Sequence, residues 1–210
     1  MAEPTNPTFD TRDPLQAAFW DERFTQRFMP WDKGGIPERL RHLVASHDAA
    51  ADPTVTAPVA LIPGCGSAYE LDLMCEAGWD ATAIDFSPAA VERARNVVKR
   101  WPQRIVQADF FTWQPQRPLD IIYERAFLCA LPPDMWPRVA ERYAALLPRG
   151  GLLAGYFFLG TTPKGPPFGI ERTQLEALLA PHFTLEADEA VKDSLPVFQG
   201  AERWQEWRRK

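Results

Sequence analysis

The chain has 210 residues, of which 46% are hydrophobic and 24% charged, and its formal net charge is -5. This length suits one domain with a single core, and the composition is globular rather than disordered or membrane-spanning. The compact basic run Arg208, Arg209, Lys210 is too short to indicate a face for nucleic-acid phosphates, and no apolar run reaches membrane-spanning length, so neither nucleic acid nor a membrane is expected as a partner.

The first twenty residues lack the basic start and apolar run of a signal peptide, and the three cysteines show no CxxC spacing. We therefore expect a cytoplasmic protein. We also expect it to be a monomer. His42, His47 and His182 do not have the spacing of metal ligands, so no metal site is predicted.

Two helical patterns come first, over residues 13–28 and 37–46, and they predict an N-terminal helical extension that covers residues 1–50. A connector rich in Ala and Pro follows over 45–58. From there to the end, the chain alternates short apolar runs with amphipathic stretches, which is typical of a parallel sheet with helices on both faces. Residues 51–210 are predicted to form this domain.

The pattern predicts seven strands, at 59–62, 81–84, 104–107, 119–123, 152–158, 183–190 and 203–209. Four further helices are predicted at 69–77, 88–100, 136–147 and 172–179. The loop between the last two strands is too short for a crossover helix, so these strands must pair antiparallel. The predicted fold is α/β: a doubly wound, mostly parallel, seven-stranded Rossmann-like sheet with a C-terminal antiparallel hairpin and an N-terminal helical lid.

A glycine motif follows the first strand, where Gly64 and Gly66 flank Cys65. Ligands of open α/β sheets bind beyond the carboxyl ends of the strands, and glycines there let a ligand lie against bare backbone. A dinucleotide fingerprint would need a third glycine where Tyr69 stands, which disfavours a nicotinamide cofactor. A tight turn without a ligand is the alternative for this motif.

Acidic and aromatic residues follow the next two strands. Asp85 ends the second strand, and its carboxylate can accept the hydroxyl hydrogen bonds of a ribose, although it could instead cap the next helix. Phe86 beside it can pack on an adenine ring. After the third strand, Asp109 offers a polar group for the adenine amino edge beside Phe110, which could equally be a core residue.

Several segments together resemble the thiopurine S-methyltransferase family of class I methyltransferases. They are Phe19-Trp20-Asp21-Glu22-Arg23-Phe24, Pro30-Trp31-Asp32, Gly64-Cys65-Gly66-Ser67-Ala68-Tyr69-Glu70, Glu124-Arg125-Ala126, Ala130-Leu131-Pro132-Pro133 and Gly165-Pro166-Pro167-Phe168. The Pro-Trp-Asp segment is similar to the bacterial and plant branch that methylates thiols or halides. The resemblance runs from about residue 19 to the C-terminal strands.

The resemblance implies that the protein binds S-adenosylmethionine and releases S-adenosylhomocysteine. Trp20, Phe24 and Trp31 would close a lid over cofactor and acceptor, although Trp20 and Phe24 stand four apart on one helical face and could instead serve the packing of that helix. The other residues expected at the cofactor are Gly64, Gly66, Asp85, Phe86, Asp109, Phe110 and Glu124. Arg125, at the end of the fourth strand, would be the catalytic residue that contacts the acceptor. The alternative to a functional role for this strand end is a surface salt bridge between Glu124 and a neighbour.

The expected reaction is in-line transfer of a methyl group to a small-molecule thiol, with the Arg125 cation favouring the thiolate. Other small acceptors (a halide, a selenide or a natural-product hydroxyl) and a non-catalytic module that binds S-adenosylmethionine are the alternatives. Residues 96–104 are shorter than in animal members of the family, so activity on thiopurine drugs is not implied. The cysteines have no histidine partner and are expected to be buried.

Overall fold

A computed structural model describes residues 7–47, 54, 56–198 and 200–210 of the chain. Its helices are α1 (Ala17–Thr25), α2 (Glu38–Ala45), α3 (Tyr69–Glu76), α4 (Pro88–Val97), α5 (Trp136–Leu146) and α6 (Arg172–Leu179). Its strands are β1 (Val59–Pro63), β2 (Asp80–Asp85), β3 (Ile105–Gln107), β4 (Ile121–Arg125), β5 (Leu152–Phe158), β6 (Phe183–Ala190) and β7 (Glu202–Arg209). Every predicted helix and strand is present, whereas the predicted boundary at residue 50 lies outside the described residues.

Two helices differ from their predicted bounds by three residues or more, α1 at both ends and α4 at one. Helix α1 is shorter than predicted, because Asp13 forms a turn of its own by accepting a hydrogen bond from the Leu15 N–H at 2.9 Å. The same helix ends early because Arg27 adopts a left-handed conformation, with φ 55°. Helix α4 stops at Val97, three residues before its predicted end.

The seven strands form one sheet in the order β3-β2-β1-β4-β5-β7-β6. Strands β1 to β5 pair parallel, and β7 pairs antiparallel with both β5 and β6. The C-terminal strand therefore lies inside the sheet, and its Trp204 and Trp207 are buried in the cores on opposite faces. This arrangement confirms the predicted doubly wound sheet with an antiparallel C-terminal hairpin.

Helices cover both faces of the sheet. On one face α3 buries Leu71 and Met74, and on the other α5 buries Val139 and Tyr143, in each case at helical spacing. Ser87 caps α4, since its Oγ accepts a hydrogen bond from the Ala90 N–H at 3.1 Å, as the sequence predicts. Within the described residues, no helix combines the length and the apolarity needed to cross a membrane.

Residues 7–37, here called the N-terminal wall, lie against the domain. Helix α1 packs on α4, and Asp21 accepts hydrogen bonds from the Ser87 hydroxyl at 2.6 Å and the Ala89 N–H at 3.0 Å. The negative charge of Asp21 thus lies at the positive end of the α4 dipole. The wall is joined in this way to the end of the sheet where β2 stops.

Candidate active site

A cleft of about 1370 Å³ opens at the carboxyl ends of β1, β2 and β4. Because these strands are parallel, their ends meet at one edge, which is where open α/β sheets bind ligands. The N-terminal wall and residues 164–168 line the cleft as well. Small-molecule pockets usually measure about 300–1,000 Å³, so this cleft has room for two small molecules side by side.

The glycine loop after β1 presents its backbone to the cleft. Gly64 and Gly66 both have positive φ, 56° and 51°, a conformation that side chains disfavour. A Cβ atom on Gly64 would lie 2.5 Å from Cδ2 of Phe127, whereas one on Gly66 would lie 3.5 Å from Cζ of Phe24. Position 64 therefore admits no side chain without moving Phe127.

Asp85 at the end of β2 connects this loop to α4. Its carboxylate, 7% exposed, accepts hydrogen bonds from the Gly66 N–H at 3.1 Å and the Ser87 N–H at 3.0 Å, and it also lines the cleft. Burial raises the pKa of Asp85 to about 6, against the opposing effect of these N–H groups. The carboxylate is thus ionised at neutral pH and can accept further hydrogen bonds from a ligand.

The predicted adenine side of the cleft lies after β2 and β3. Phe86, Asp109 and Phe110 all line it. Phe110 is 4% exposed, and its ring packs 4.9 Å from the ring of Phe127 and 5.5 Å from that of Tyr143. Phe110 is therefore a core residue that also lines the cleft.

The three aromatic residues predicted for the lid lie together on the N-terminal wall. The Trp20 and Trp31 rings are 5.4 Å apart, and the Phe24 and Trp31 rings are 6.1 Å apart. Phe24 faces Gly66, and the indole N–H of Trp20 donates to the Pro14 carbonyl at 2.8 Å. All three line the cleft opposite the glycine loop.

A polar network anchors the wall beside these aromatics. One carboxylate oxygen of Asp32 accepts a hydrogen bond from the Ser67 hydroxyl at 2.5 Å and pairs with Nη2 of Arg93 at 3.1 Å. Its other oxygen accepts from the Gly34 N–H at 2.9 Å. This anchor could not be predicted from local sequence patterns, because Arg93 stands 61 positions after Asp32.

Glu124 does not line the cleft, in contrast to the predicted contact with the cofactor. It is 1% exposed, and its carboxylate accepts hydrogen bonds from the Phe127 N–H at 2.9 Å, the Leu128 N–H at 3.0 Å and the Tyr143 hydroxyl at 2.7 Å. Burial raises the pKa of Glu124 to about 7. The Glu124 side chain thus stabilises the turn after β4, in which Ala126 has a φ of 60°.

Arg125 does face the cleft. Its side chain is 14% exposed, its Nη1 lies 3.8 Å from Oε1 of Glu70, and its guanidinium lies 4.9 Å from the centroid of the Tyr156 ring. Nε of Arg125 and the hydroxyl of Tyr123 have no hydrogen-bond partner within the described residues. The β4 tip thus brings a cation and unused hydrogen-bonding groups to the cleft.

Comparison with known proteins decides the family. A family model for thiopurine S-methyltransferase matches residues 15–210. The chain belongs to the thiopurine S-methyltransferase family. It is 30% identical over 197 residues to probable thiol methyltransferase 2 of Arabidopsis thaliana, covering 90% of this chain and 84% of that protein. It is 28% identical over 196 residues to thiocyanate methyltransferase 1 of the same plant, with the same two coverages.

A solved structure shows the same fold. The N-methyltransferase NodS from Bradyrhizobium japonicum WM9, in complex with S-adenosylhomocysteine, superposes with a TM-score of 0.69 at 16% identity, covering 90% of this chain and 96% of that one. The Rossmann-like methyltransferase fold is thereby confirmed. Membership of the thiopurine S-methyltransferase family also confirms the predicted class of enzyme, an S-methyltransferase.

The three cysteines of the chain lie in its interior. Cys65, Cys75 and Cys129 are free and buried, as predicted, and burial raises the pKa of each thiol. Across the described ranges, no group of three or more His, Cys, Asp or Glu side chains is arranged to hold a metal ion.

Proposed function

We propose that this protein transfers a methyl group from S-adenosylmethionine to a small-molecule thiol by in-line displacement and releases S-adenosylhomocysteine. The observation that carries the proposal is a single cleft with the glycine loop and Asp85 on one side and Arg125 on the other. The printed names of the relatives, a thiol and a thiocyanate methyltransferase, support it. So does the complex of NodS with S-adenosylhomocysteine.

The residues present fit such a donor. Gly64 and Gly66 line the cleft where its methionine and ribose would lie, and Asp85 is an acceptor for ribose hydroxyls. Phe86 and Phe110 offer ring faces for the adenine, and Asp109 offers an acceptor for its amino group. When bound, the sulfonium donor supplies a methyl group that a nucleophile can take directly.

The aromatic cluster of the wall, formed by Trp20, Phe24 and Trp31, suits a positively charged sulfonium. Ring faces attract cations, and rings that cover the cleft exclude water from it. Alignment of the two reactants in such a closed space can supply several kcal/mol of the rate acceleration. The N-terminal wall would thus contribute both to binding of the sulfonium donor and to the rate of methyl transfer.

Arg125 would act on the acceptor. Because a free thiol with a pKa of about 8.5 is only partly ionised at neutral pH, a neighbouring cation that favours the thiolate raises the concentration of the nucleophile. The Arg125 side chain is mostly buried and lies beside the Tyr156 ring, which keeps its charge in the cleft. We further propose a monomer that acts in the cytoplasm on a small acceptor, without a metal.

A second candidate acceptor is a small anion such as thiocyanate or a halide. The Arg125 guanidinium in a partly dry cleft would hold such an anion as well as a thiolate, and one relative is named for thiocyanate. Selenide and natural-product hydroxyls would be tested in the same panel. A module that binds the donor without turnover would give binding and no product on any acceptor.

Calorimetry and an acceptor panel test the proposal. Purified protein should bind S-adenosylhomocysteine and not NADH, and should methylate one or more thiols. Arg125→Ala should lower turnover by about 10- to 100-fold, the range of a charge that acts near the reacting atoms, while S-adenosylhomocysteine affinity stays within about twofold. Arg100→Ala, at an exposed arginine paired with Glu76, is the control.

The outcomes separate the parts of the proposal. No affinity for S-adenosylhomocysteine would remove the donor, and with it the function. Unchanged turnover in Arg125→Ala would remove Arg125 from the reaction while leaving the donor site in place.

A further inference from the structure

Three groups with unused hydrogen-bonding capacity meet on the acceptor side of the cleft. The Tyr123 hydroxyl is fully buried, and neither it nor Nε of Arg125 has a partner in the part of the chain that the structure describes. The Glu70 carboxylate, in the first turn of α3, faces the Arg125 guanidinium at 3.8 Å. Since buried polar groups almost always have partners, this cluster indicates a site for a polar ligand atom.

The other carboxylates around the cleft are already engaged. Asp32 is bound by Ser67 and Arg93, as described above. Asp193 accepts from the Glu38 N–H at 2.8 Å and from the Tyr156 hydroxyl at 3.3 Å. Their oxygens are used to hold the N-terminal wall and the start of α2, so these acids are poorly placed to exchange a proton with a ligand.

Asp85 and Asp109 belong to the opposite side of the cleft. They follow β2 and β3, and in the sheet β1 lies between β2 and β4, which carries Arg125. Asp85 also accepts two backbone N–H groups. Glu70 is therefore the acid whose carboxylate lies beside the cation expected to hold the acceptor.

We propose that Glu70 is the base that removes the proton from the acceptor thiol, an inference that rests on the proposed function. The S–H bond breaks, an O–H bond forms on the Glu70 carboxylate, and the electron pair stays on sulfur. That pair then forms the new C–S bond to the methyl group, as the old C–S bond breaks and its pair returns to the sulfur of the donor. The proton leaves Glu70 to solvent after the products depart.

The surroundings of Glu70 suit this task. Burial raises its pKa above the ordinary value for a glutamate, Arg125 opposes that rise, and Asp32 adds to it. Tyr123 and Cys65 are the other titratable groups that interact with it. The carboxylate is thus a stronger base than an exposed one, and the Arg125 Nε and Tyr123 hydroxyl remain free to donate to the thiolate that forms.

The proposal predicts that Glu70 matters only for acceptors that carry a proton. An alkanethiol such as 2-mercaptoethanol must lose its proton, whereas 4-nitrothiophenol and thiocyanate are already anions at neutral pH. In Glu70→Gln, turnover of 2-mercaptoethanol should fall about 100-fold, the usual contribution of a general base, and turnover of the two anions by less than about threefold. Glu70→Asp should recover part of the activity on 2-mercaptoethanol.

Two binding measurements accompany the kinetics. Glu70→Gln should keep the wild-type affinity for S-adenosylhomocysteine within about twofold, and its S-adenosylhomocysteine complex should bind thiocyanate about three- to tenfold more tightly, because a like charge beside the anion is gone. Glu76→Gln, at an exposed acid in the last turn of the same helix, is the matched control and should change neither quantity.

The results distinguish this inference from the function on which it rests. Equal losses on all three acceptors, weaker S-adenosylhomocysteine binding or unchanged thiocyanate binding in Glu70→Gln would overturn the role of Glu70 and leave the proposed function standing. A wild-type protein that binds no S-adenosylhomocysteine, or methylates no thiol, would overturn the proposed function itself.

Discussion

The two sides of the cleft are held in place by different means. On the sheet side, the glycine loop is fixed by left-handed backbone conformations and by the buried carboxylate of Asp85. On the wall side, Asp21 and Asp32 provide polar attachments, and Asp32 pairs with an arginine side chain that is 31% exposed. Because these two attachments are polar and one of them is partly exposed, we expect the wall to open locally more readily than the sheet.

The largest effect should come from the sheet side. Gly64→Ala places a methyl group 2.5 Å from the Phe127 ring at a φ of 56°, and left-handed conformations alone cost an L-residue roughly 1–2 kcal/mol. Together with the displaced ring, this should weaken S-adenosylhomocysteine binding by about 100-fold in calorimetry. Gly150→Ala, with a φ of 83° and open space around it, isolates the backbone strain and should bind normally. Wild-type affinity in Gly64→Ala would show that the loop is not the donor site.

Asp85 should have the next largest effect, and one that depends on pH. The pKa of Asp85, about 6, is above the ordinary value of an aspartate but below 7.5. The carboxylate is therefore ionised at pH 7.5 and becomes protonated as the pH falls through 6. S-adenosylhomocysteine affinity should therefore decline below pH 6. Asp85→Asn should bind about tenfold more weakly at pH 7.5, as expected when a charged acceptor is lost, and should lack this decline. Asp80→Asn, at the other end of β2, should keep the wild-type profile; a decline that persists in Asp85→Asn would assign it to another group.

The smallest effect should come from the wall. Asp32→Asn removes a partly exposed ion pair with Arg93, and such pairs contribute at most about 1 kcal/mol, so wall opening should increase about threefold to fivefold. Trypsin cleavage after Arg23, Arg27 or Lys33, followed by mass spectrometry, measures that opening. Asp10→Asn, at an exposed position of the same wall, is the control. Equal cleavage rates in Asp32→Asn and wild type would mean that the aromatic packing alone holds the wall.

The fold was predictable because its signal is local. Apolar runs and helical spacing lie within single elements, and the short loop before β7 dictates an antiparallel pair. The end of β4 was not predictable in the same way. Glu124 and Arg125 belong to the strand because they pair with Gly155 and Tyr156 of β5, and the absence of a side chain at Gly155 lets the backbone of Glu124 approach.

In the candidate site, too, the residues with a local sequence signal could be predicted and the others could not. Gly64 and Gly66 come just after β1 and Asp85 is the last residue of β2, so their place at the cleft could be predicted from the sequence alone. Glu124 was predicted at the cofactor, but its carboxylate accepts hydrogen bonds from the backbone of the turn after β4. Glu70 was overlooked because an acid in the first turn of a helix is commonly a partner of the helix dipole, and its pairing with Arg125 spans more than fifty positions.

The two cysteines that line the cleft bear on how such an enzyme would avoid modifying itself. Burial, with help from nearby carboxylates, raises the pKa of Cys65 and of Cys129 well above the ordinary value. Only the thiolate is a good nucleophile, so both sulfur atoms stay protonated and inert beside an alkylating agent. In the proposed reaction the Arg125 cation would favour the thiolate of an acceptor, whereas burial keeps the protein's own two thiols in the protonated form that is a poor nucleophile.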